Sequence, residues 1–72
     1  MPVRIDALKL HRVLNYCRNR GDDLEEIAAA SEISYGALMD WERGVEGSPT
    51  EAEYRRLCHV LGIAEDAVGE IL

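Results

Sequence analysis

Cations, cysteines and long apolar runs are all scarce in this sequence. Eight Lys and Arg stand against 14 Asp and Glu in 72 residues, for a net charge of −6. That balance argues against a sequence-independent nucleic-acid binder, whose affinity comes mainly from cations that neutralise phosphates. No segment approaches the roughly 18 apolar residues of a membrane span, and residues 1–13 lack the apolar stretch of a signal peptide. We expect a single domain over residues 1–72, cytoplasmic and with no membrane partner.

The two cysteines, Cys17 and Cys58, lie far apart, and each falls on an apolar helical stripe. This pattern favours small buried hydrophobic residues over a disulfide, which is rare without secretion. The nearby histidines, His11 and His59, do not complete the ligand spacing of a zinc site. The sequence also lacks a nucleophile–base pair and a glycine-rich phosphate loop, so we expect no enzymatic activity, no metal and no cofactor.

The charges that are present are distributed unevenly. Residues 1–20 hold five Lys and Arg and one Asp, a net charge of +4. Residues 21–72 hold three Arg and thirteen acids, a net charge of −10. The dense basic region near the N-terminus, with Arg12, Arg18 and Arg20, predicts either contacts to phosphates or solubilising charge at a helix end. Because a local basic patch of this kind can contact phosphates, the negative net charge of the whole chain does not exclude DNA as a partner.

Apolar residues recur at helical spacing almost from end to end, and no stretch alternates apolar and polar residues as a strand does. The spacing predicts a compact all-α bundle of five short helices, each too short to be stable alone. The predicted spans are Asp6 to Arg20, Asp22 or Asp23 to Ser31, Ser34 to Gly44, Thr50 to Gly62 and Ala64 to Leu72.

Two of these helix starts have competing signals. Asp22 and Asp23 each have a glutamate three residues later, which is the spacing of a capping box. Thr50 has a glutamate at the same spacing, whereas Ser48, followed by a proline, predicts a start two residues earlier. The sequence alone leaves both alternatives open.

The stretch 23–44 has the pattern of two short helices joined by a tight turn. Ala28 is small at the point where the two helices must touch, and Ile33 is an apolar residue that plugs the turn. Leu38 and Trp41 bury one face of the second of these helices and leave its other face to solvent. These are the physical requirements of a helix-turn-helix.

Further positions along the chain occur in a specific combination: Ile27-Ala28, Ile33-Ser34, Leu38, Trp41-Glu42-Arg43-Gly44, Pro49-Thr50, Leu57 and Leu61-Gly62-Ile63. In this combination, residues 8–72 resemble the lambda-repressor-like (Cro and XRE type) helix-turn-helix family. The resemblance implies a five-helix fold whose third helix enters the major groove of double-stranded DNA. The base-reading residues that it implies are Ser34, Tyr35, Gly36, Met39 and Asp40, with Arg43 near the DNA backbone. From the basic region near the N-terminus, Arg18 and Arg20 are further predicted DNA-binding residues.

The chain also departs from the family pattern. Glu32 stands at a turn position usually held by glycine, where a left-handed conformation costs about 1 kcal/mol or more. Cys17 stands where the family commonly has an arginine that pairs with the glutamate ending the third helix, here Glu42. We expect Arg18 to be its partner instead. The loop after Gly44 carries an acid rather than Lys or Arg, and acids open the second helix.

Two functions follow from these observations. The first is a sequence-specific transcriptional regulator of phage or mobile-element repressor type, which acts as a homodimer through Val68, Ile71 and Leu72. The second is an acidic helix-turn-helix scaffold that serves as a protein–protein interaction or anti-regulator module and docks a basic protein partner. The acids of residues 21–72 favour the second function, and the helix-turn-helix pattern favours the first.

Overall fold

Four helices and one short two-stranded sheet make up the chain, and the computed structural model describes all 72 residues. The elements in order are β1 (Val3–Ile5), α1 (Ala7–Arg20), α2 (Leu24–Ser31), α3 (Tyr35–Glu42), α4 (Glu51–Leu61) and β2 (Gly69–Ile71). The result is a compact, mostly helical globule of 32 × 22 × 21 Å.

The local signals that start α1 and α4 act as the sequence predicts. Asp6 caps α1, and Gly21, with φ of 99°, ends it. At α4 the backbone N–H of Glu53 donates to Thr50 Oγ1 at 3.1 Å, and that of Thr50 donates to Glu53 Oε1 at 2.8 Å. The capping box therefore starts α4 at Thr50 and not at Ser48.

The start of α2 is also decided between its two candidates. Asp23 is the cap, and its Oδ1 accepts from the backbone N–H of Glu25 at 2.9 Å. This is a bond to the second helical residue and not the capping box that the spacing predicts. Asp22 has a different partner, because its carboxylate pairs with Arg20.

The predicted compact, mostly helical fold is confirmed, but the fifth helix predicted over residues 64–72 is wrong and the chain is not purely α-helical. Residues 69–71 form β2, which pairs antiparallel with β1 so that Val3 faces Ile71 across the sheet. Gly69 permits this approach, because a Cβ there would lie 2.4 Å from the carbonyl oxygen of Arg4. Strands of three residues are too short to show an alternating pattern in a sequence.

The core lies between the four helices, and Val3, Ile5 and Ile71 of the sheet pack against it. Leu14, Leu38, Tyr54, Leu57 and Val68 are completely buried. Cys17 and Cys58 are buried free thiols, which confirms their prediction as small hydrophobic residues. No helix here combines the length and the apolar character needed to cross a bilayer.

Candidate nucleic-acid interface

A tight turn holds α2 and α3 together. Glu32 adopts the left-handed conformation, with φ of 57° and ψ of 39°. The backbone N–H of Ile33 donates to the carbonyl of Ala28 at 3.0 Å. Ile33 and Ala28 are both buried, so the plug of the turn and the small contact residue are confirmed. Because backbone bonds and burial hold the turn in place, the chain tolerates a non-glycine residue in the left-handed region.

An arginine of α4 braces the same turn, and sequence reasoning missed it. Arg56 Nε donates to the backbone carbonyl of Ser31 at 2.8 Å and lies 3.5 Å from Glu32 Oε2. In the sequence, Arg56 belongs to an Arg-Arg pair that is typical of a solvated helix surface. Only its placement against the end of α2 gives it this contact.

The N-terminal turn of α3 projects into solvent. Ser34 caps the helix, with its Oγ accepting from the N–H of Ala37 at 3.2 Å. Ser34, Tyr35 and Gly36 are exposed, whereas Leu38 and Trp41 face the core. A Cβ placed on Gly36 would meet no atom within 4 Å. No intramolecular packing therefore requires a glycine at this position.

Of the remaining residues predicted on α3, Met39 and Asp40 are half-buried and Arg43 is exposed. Arg43 Nη2 donates to Asp40 Oδ1 at 2.7 Å, so these two side chains form an ion pair on the helix surface. Met39 packs partly against the core. Among the predicted α3 residues, Asp40 is therefore already paired and Met39 already contacts the core.

A buried carboxylate fixes α3 to α1. The side chain of Glu42 is only 4% exposed, and its Oε1 accepts from Arg18 Nη1 and Asn15 Nδ2, each at 3.3 Å. The His11 side chain donates through Nδ1 to the backbone carbonyl of Glu42. Arg18 is thus confirmed as the partner of Glu42. Sequence reasoning missed His11 and Asn15, although both share one flank of α1 with Arg18 at helical spacing.

Most cations of the chain are already paired with carboxylates. Arg20 pairs with Asp22 and lies over the ring of Tyr16, 5.3 Å from its centroid. Six of the eight Lys and Arg side chains have a carboxylate within ion-pair distance, and the two that do not are Lys9 and Arg12. The exposed pairs are weak, at about 0 to 1 kcal/mol each. A phosphate can therefore displace such a carboxylate at little cost.

The N-terminus of α2 is strongly acidic. Asp23, Glu25 and Glu26 are exposed there, and Asp23 already occupies a backbone N–H that a phosphate would otherwise take. These carboxylates complement the positive end of the helix dipole. They also repel anions, so this end of α2 is less suited to a phosphate than a helix N-terminus without acidic side chains.

No arrangement in the structure points to redox or metal chemistry. Burial raises the pKa of the Cys17 and Cys58 thiols, which keeps them protonated and unreactive near neutral pH. No three His, Cys, Asp or Glu side chains are grouped so that they could hold a metal ion.

No protein-family model, no curated protein and no solved structure matches this chain. Support for a function comes instead from the geometry of residues 23–44 and from the charges around it.

Proposed function

We propose that this protein is a sequence-specific DNA-binding transcriptional regulator of the repressor-like helix-turn-helix type, with α3 in the major groove. The observation that carries this proposal is the α2–turn–α3 unit. Its turn is held by a left-handed Glu32 and a buried Ile33, and the N-terminal turn of α3 stands free of the core. A recognition helix must be held rigidly while its first turn reaches the base edges.

The small number of cations bears on the kind of binding. The chain has only eight Lys and Arg against 14 Asp and Glu, so it can neutralise few phosphates. Phosphate contacts therefore supply little affinity that is independent of sequence. Discrimination between DNA sequences then has to come from contacts to base edges in the major groove. Ser34 and Tyr35 offer hydroxyls to base edges, and an apolar side chain such as Met39 suits the thymine methyl group.

Two residues of α3 carry narrower expectations. Asp40 would accept a hydrogen bond from the N4 amino group of cytosine, and Arg43 would then be released towards a phosphate. Gly36 allows the helix backbone to approach the DNA closely, because it adds no side chain on the exposed face. The ion pair of Asp40 and Arg43 is therefore expected to open when DNA binds.

A homodimer would place two α3 helices in successive turns of the major groove, about 34 Å apart. The dimer surface predicted from Val68, Ile71 and Leu72 needs correction in one residue. Val68 is completely buried within the single chain and has no surface to offer. Only the half-buried Ile71 and the exposed Leu72 could contribute from this end of the chain.

Selection from random duplexes tests the proposal. We expect an enriched motif at low salt, with the palindromic half-sites of a dimer, and a shallow dependence of affinity on salt because few phosphates are neutralised. Substituting Tyr35 with Ala should relax the motif, whereas Arg43→Ala should weaken binding to all duplexes alike. If no motif is enriched at low salt, the proposal of a sequence-specific DNA-binding regulator is wrong.

One observation favours the second candidate, a protein-binding module with a basic partner. The exposed acids Asp23, Glu25 and Glu26 lie at the start of α2, the end of the helix whose N–H groups would face a phosphate in the proposed DNA complex. They would repel phosphates and attract Lys and Arg. An oligolysine peptide that shifts the NMR signals of these residues, combined with a failed duplex selection, would support the module. An enriched DNA motif together with no peptide binding would exclude it.

A further inference from the structure

The flank of α1 that faces away from α3 carries a cleft that the proposed DNA contact does not use. The cleft has a volume of about 300 Å³ and lies between α1 and the end of α4. Its walls are mostly apolar and are formed by Arg12, Val13, Tyr16, Cys17, Arg20, Leu61 and Ile63. The lining includes two arginines and no carboxylate.

Helix geometry separates this cleft from α3. At 3.6 residues per turn, Val13, Tyr16 and Arg20 fall on one flank of the buried stripe of α1. Asn15 and Arg18 fall on the other flank, where they contact Glu42 at the end of α3. A partner in the cleft would therefore bind without covering the exposed turn of α3.

Exposed apolar surface continues along α1 beyond the cleft. Tyr16 is 63% exposed and Leu8 is 56% exposed, and both are among the few large apolar side chains left in solvent. The stripe from Leu8 through Arg12 and Tyr16 to Arg20 runs for about 18 Å along the helix. That length matches about three turns of a second helix laid against it.

The charge of the stripe limits what can cover it. Lys9 and Arg12 are the two cations that no carboxylate of the chain pairs. Both are exposed on α1, one turn apart, beside the apolar residues Val13 and Tyr16. Phosphates would satisfy the cations but not the apolar walls, whereas an amphipathic helix with flanking carboxylates would satisfy both.

We infer that this cleft is a docking site for an acidic amphipathic helix of a partner protein. Leucine-like anchors would fill the space between Tyr16 and Ile63, and carboxylates on the flank of the partner helix would pair with Lys9 and Arg12. The acid that contacts a lining residue, Asp22, is paired with Arg20, and charges more than about 8 Å from the cleft are screened at physiological ionic strength. This site does not depend on DNA binding.

A designed peptide pair tests the inference on the full chain. The probe is a helix of about 16 residues, with Leu at i, i+3, i+4 and i+7 and Glu on both flanks, and the matched control has Lys in place of every Glu. Two-dimensional NMR of the labelled protein should show shifts at Val13, Tyr16, Leu61 and Ile63 with the Glu peptide. We expect the Lys peptide to bind at least about tenfold more weakly.

Two variants locate the binding. Arg12→Gln and Tyr16→Ala should each weaken the Glu peptide by about tenfold, and both sites are exposed enough to leave the core intact. Arg55→Gln is the matched control, because it removes one exposed cation of α4, whose partners are Glu51 and Glu65. That variant should bind the Glu peptide like the original chain.

Four results would overturn the inference. The first is equal binding of both peptides, and the second is the absence of any shift at about 1 mM peptide. The third is a set of cleft shifts that grows with protein concentration when no peptide is present, which would assign the surface to a second copy of this chain. The fourth is a shift of the cleft residues on addition of duplex DNA alone, which would assign it to nucleic acid.

Discussion

Arg18 of α1 reaches across to Glu42, the last residue of α3, and holds its carboxylate at 3.3 Å. The two partners have very different surroundings, since the Arg18 side chain is 59% exposed and that of Glu42 is 4% exposed. A carboxylate so deeply buried needs its hydrogen bonds, because leaving a charged group without them costs far more than an exposed pair gains. The hydrogen bonds of the Glu42 carboxylate therefore add to the core packing that holds α3 against α1.

Substitutions at this pair should have unequal effects. We expect Glu42→Ala to lower the free energy of unfolding by about 1 to 3 kcal/mol, because it removes the buried acceptor of the Arg18 and Asn15 donors. Arg18→Ala should cost less, about 1 kcal/mol, because Asn15 still donates to the Glu42 carboxylate and water can take the place of the exposed guanidinium. Urea denaturation of both variants measures the difference, and equal losses would show that the buried carboxylate is not the critical member.

Gly36→Ala separates folding from DNA binding. Alanine should stabilise α3 by about 0.5 to 1 kcal/mol, because glycine is a poor helix former and the site has room for a Cβ. If the helix backbone approaches DNA closely at this point, the same change should weaken binding to a selected duplex by about tenfold.

A second helix position serves as the control for that variant. Ala52 is exposed on α4, away from α3, and Ala52→Gly should destabilise the chain by about 1 kcal/mol without altering DNA affinity. Thermal unfolding and a duplex titration are run on both variants. If Gly36→Ala leaves the affinity for DNA unchanged, the α3 backbone does not approach DNA closely at this position.

Gly47 supports the packing of the only tryptophan. A Cβ at this position would lie 2.0 Å from Nε1 of Trp41, so the loop after α3 rests directly on the indole. We expect Gly47→Ala to cost about 1 to 3 kcal/mol through overpacking. The fluorescence of Trp41 reports the unfolding in urea, and Gly36→Ala provides the comparison at an unhindered glycine. A Gly47→Ala midpoint equal to that of the original chain would contradict this packing.

Alkaline pH should destabilise the fold. Burial raises the pKa of Cys17, Cys58 and Tyr54 above the ordinary values of 9.0 for a thiol and 10.0 for tyrosine. Above about pH 9 the unfolded chain therefore loses protons that the folded chain still holds, and the free energy of unfolding falls as the pH rises. Below that pH the contribution of these groups is fully present.

Urea denaturation from about pH 7 to about pH 11 measures this slope. Tyr54→Phe should reduce the slope at its alkaline end, although the variant loses the hydrogen bond from the tyrosine hydroxyl to the carbonyl of Glu65. For that reason the slope, and not the stability at pH 7, is the quantity to compare. A stability that stays constant from pH 9 to pH 11 would contradict the burial of these groups.

Local signals made the four helices predictable. The cap at Asp6, the reciprocal bonds of Thr50 and Glu53, and the glycine ends at Gly21 and Gly62 each involve residues within a few positions of one another. Such interactions are specified by spacing alone, and the core positions Leu38 and Trp41 follow from the helical period. The turn between α2 and α3 was predictable for the same reason.

The sheet was not predictable, because its partners lie at opposite ends of the chain. Val3 pairs with Ile71, and neither segment is long enough to show a pattern of its own. Val68 illustrates the consequence: in a helix it would offer an apolar surface to a dimer partner, but next to β2 it is completely buried. The pairing of β1 with β2 therefore decided which apolar residues near the C-terminus remain exposed to a partner.

The sequence by itself determined the helices, the buried stripe of each helix and the uneven distribution of charge along the chain. Only the tertiary structure decided which charges remain free, because ion pairs such as Arg18 with Glu42 join residues 24 positions apart. It left Lys9 and Arg12 unpaired beside an apolar cleft, and it opened the first turn of α3 to solvent. These features depend on how helices pack against one another, which spacing along a single helix does not specify.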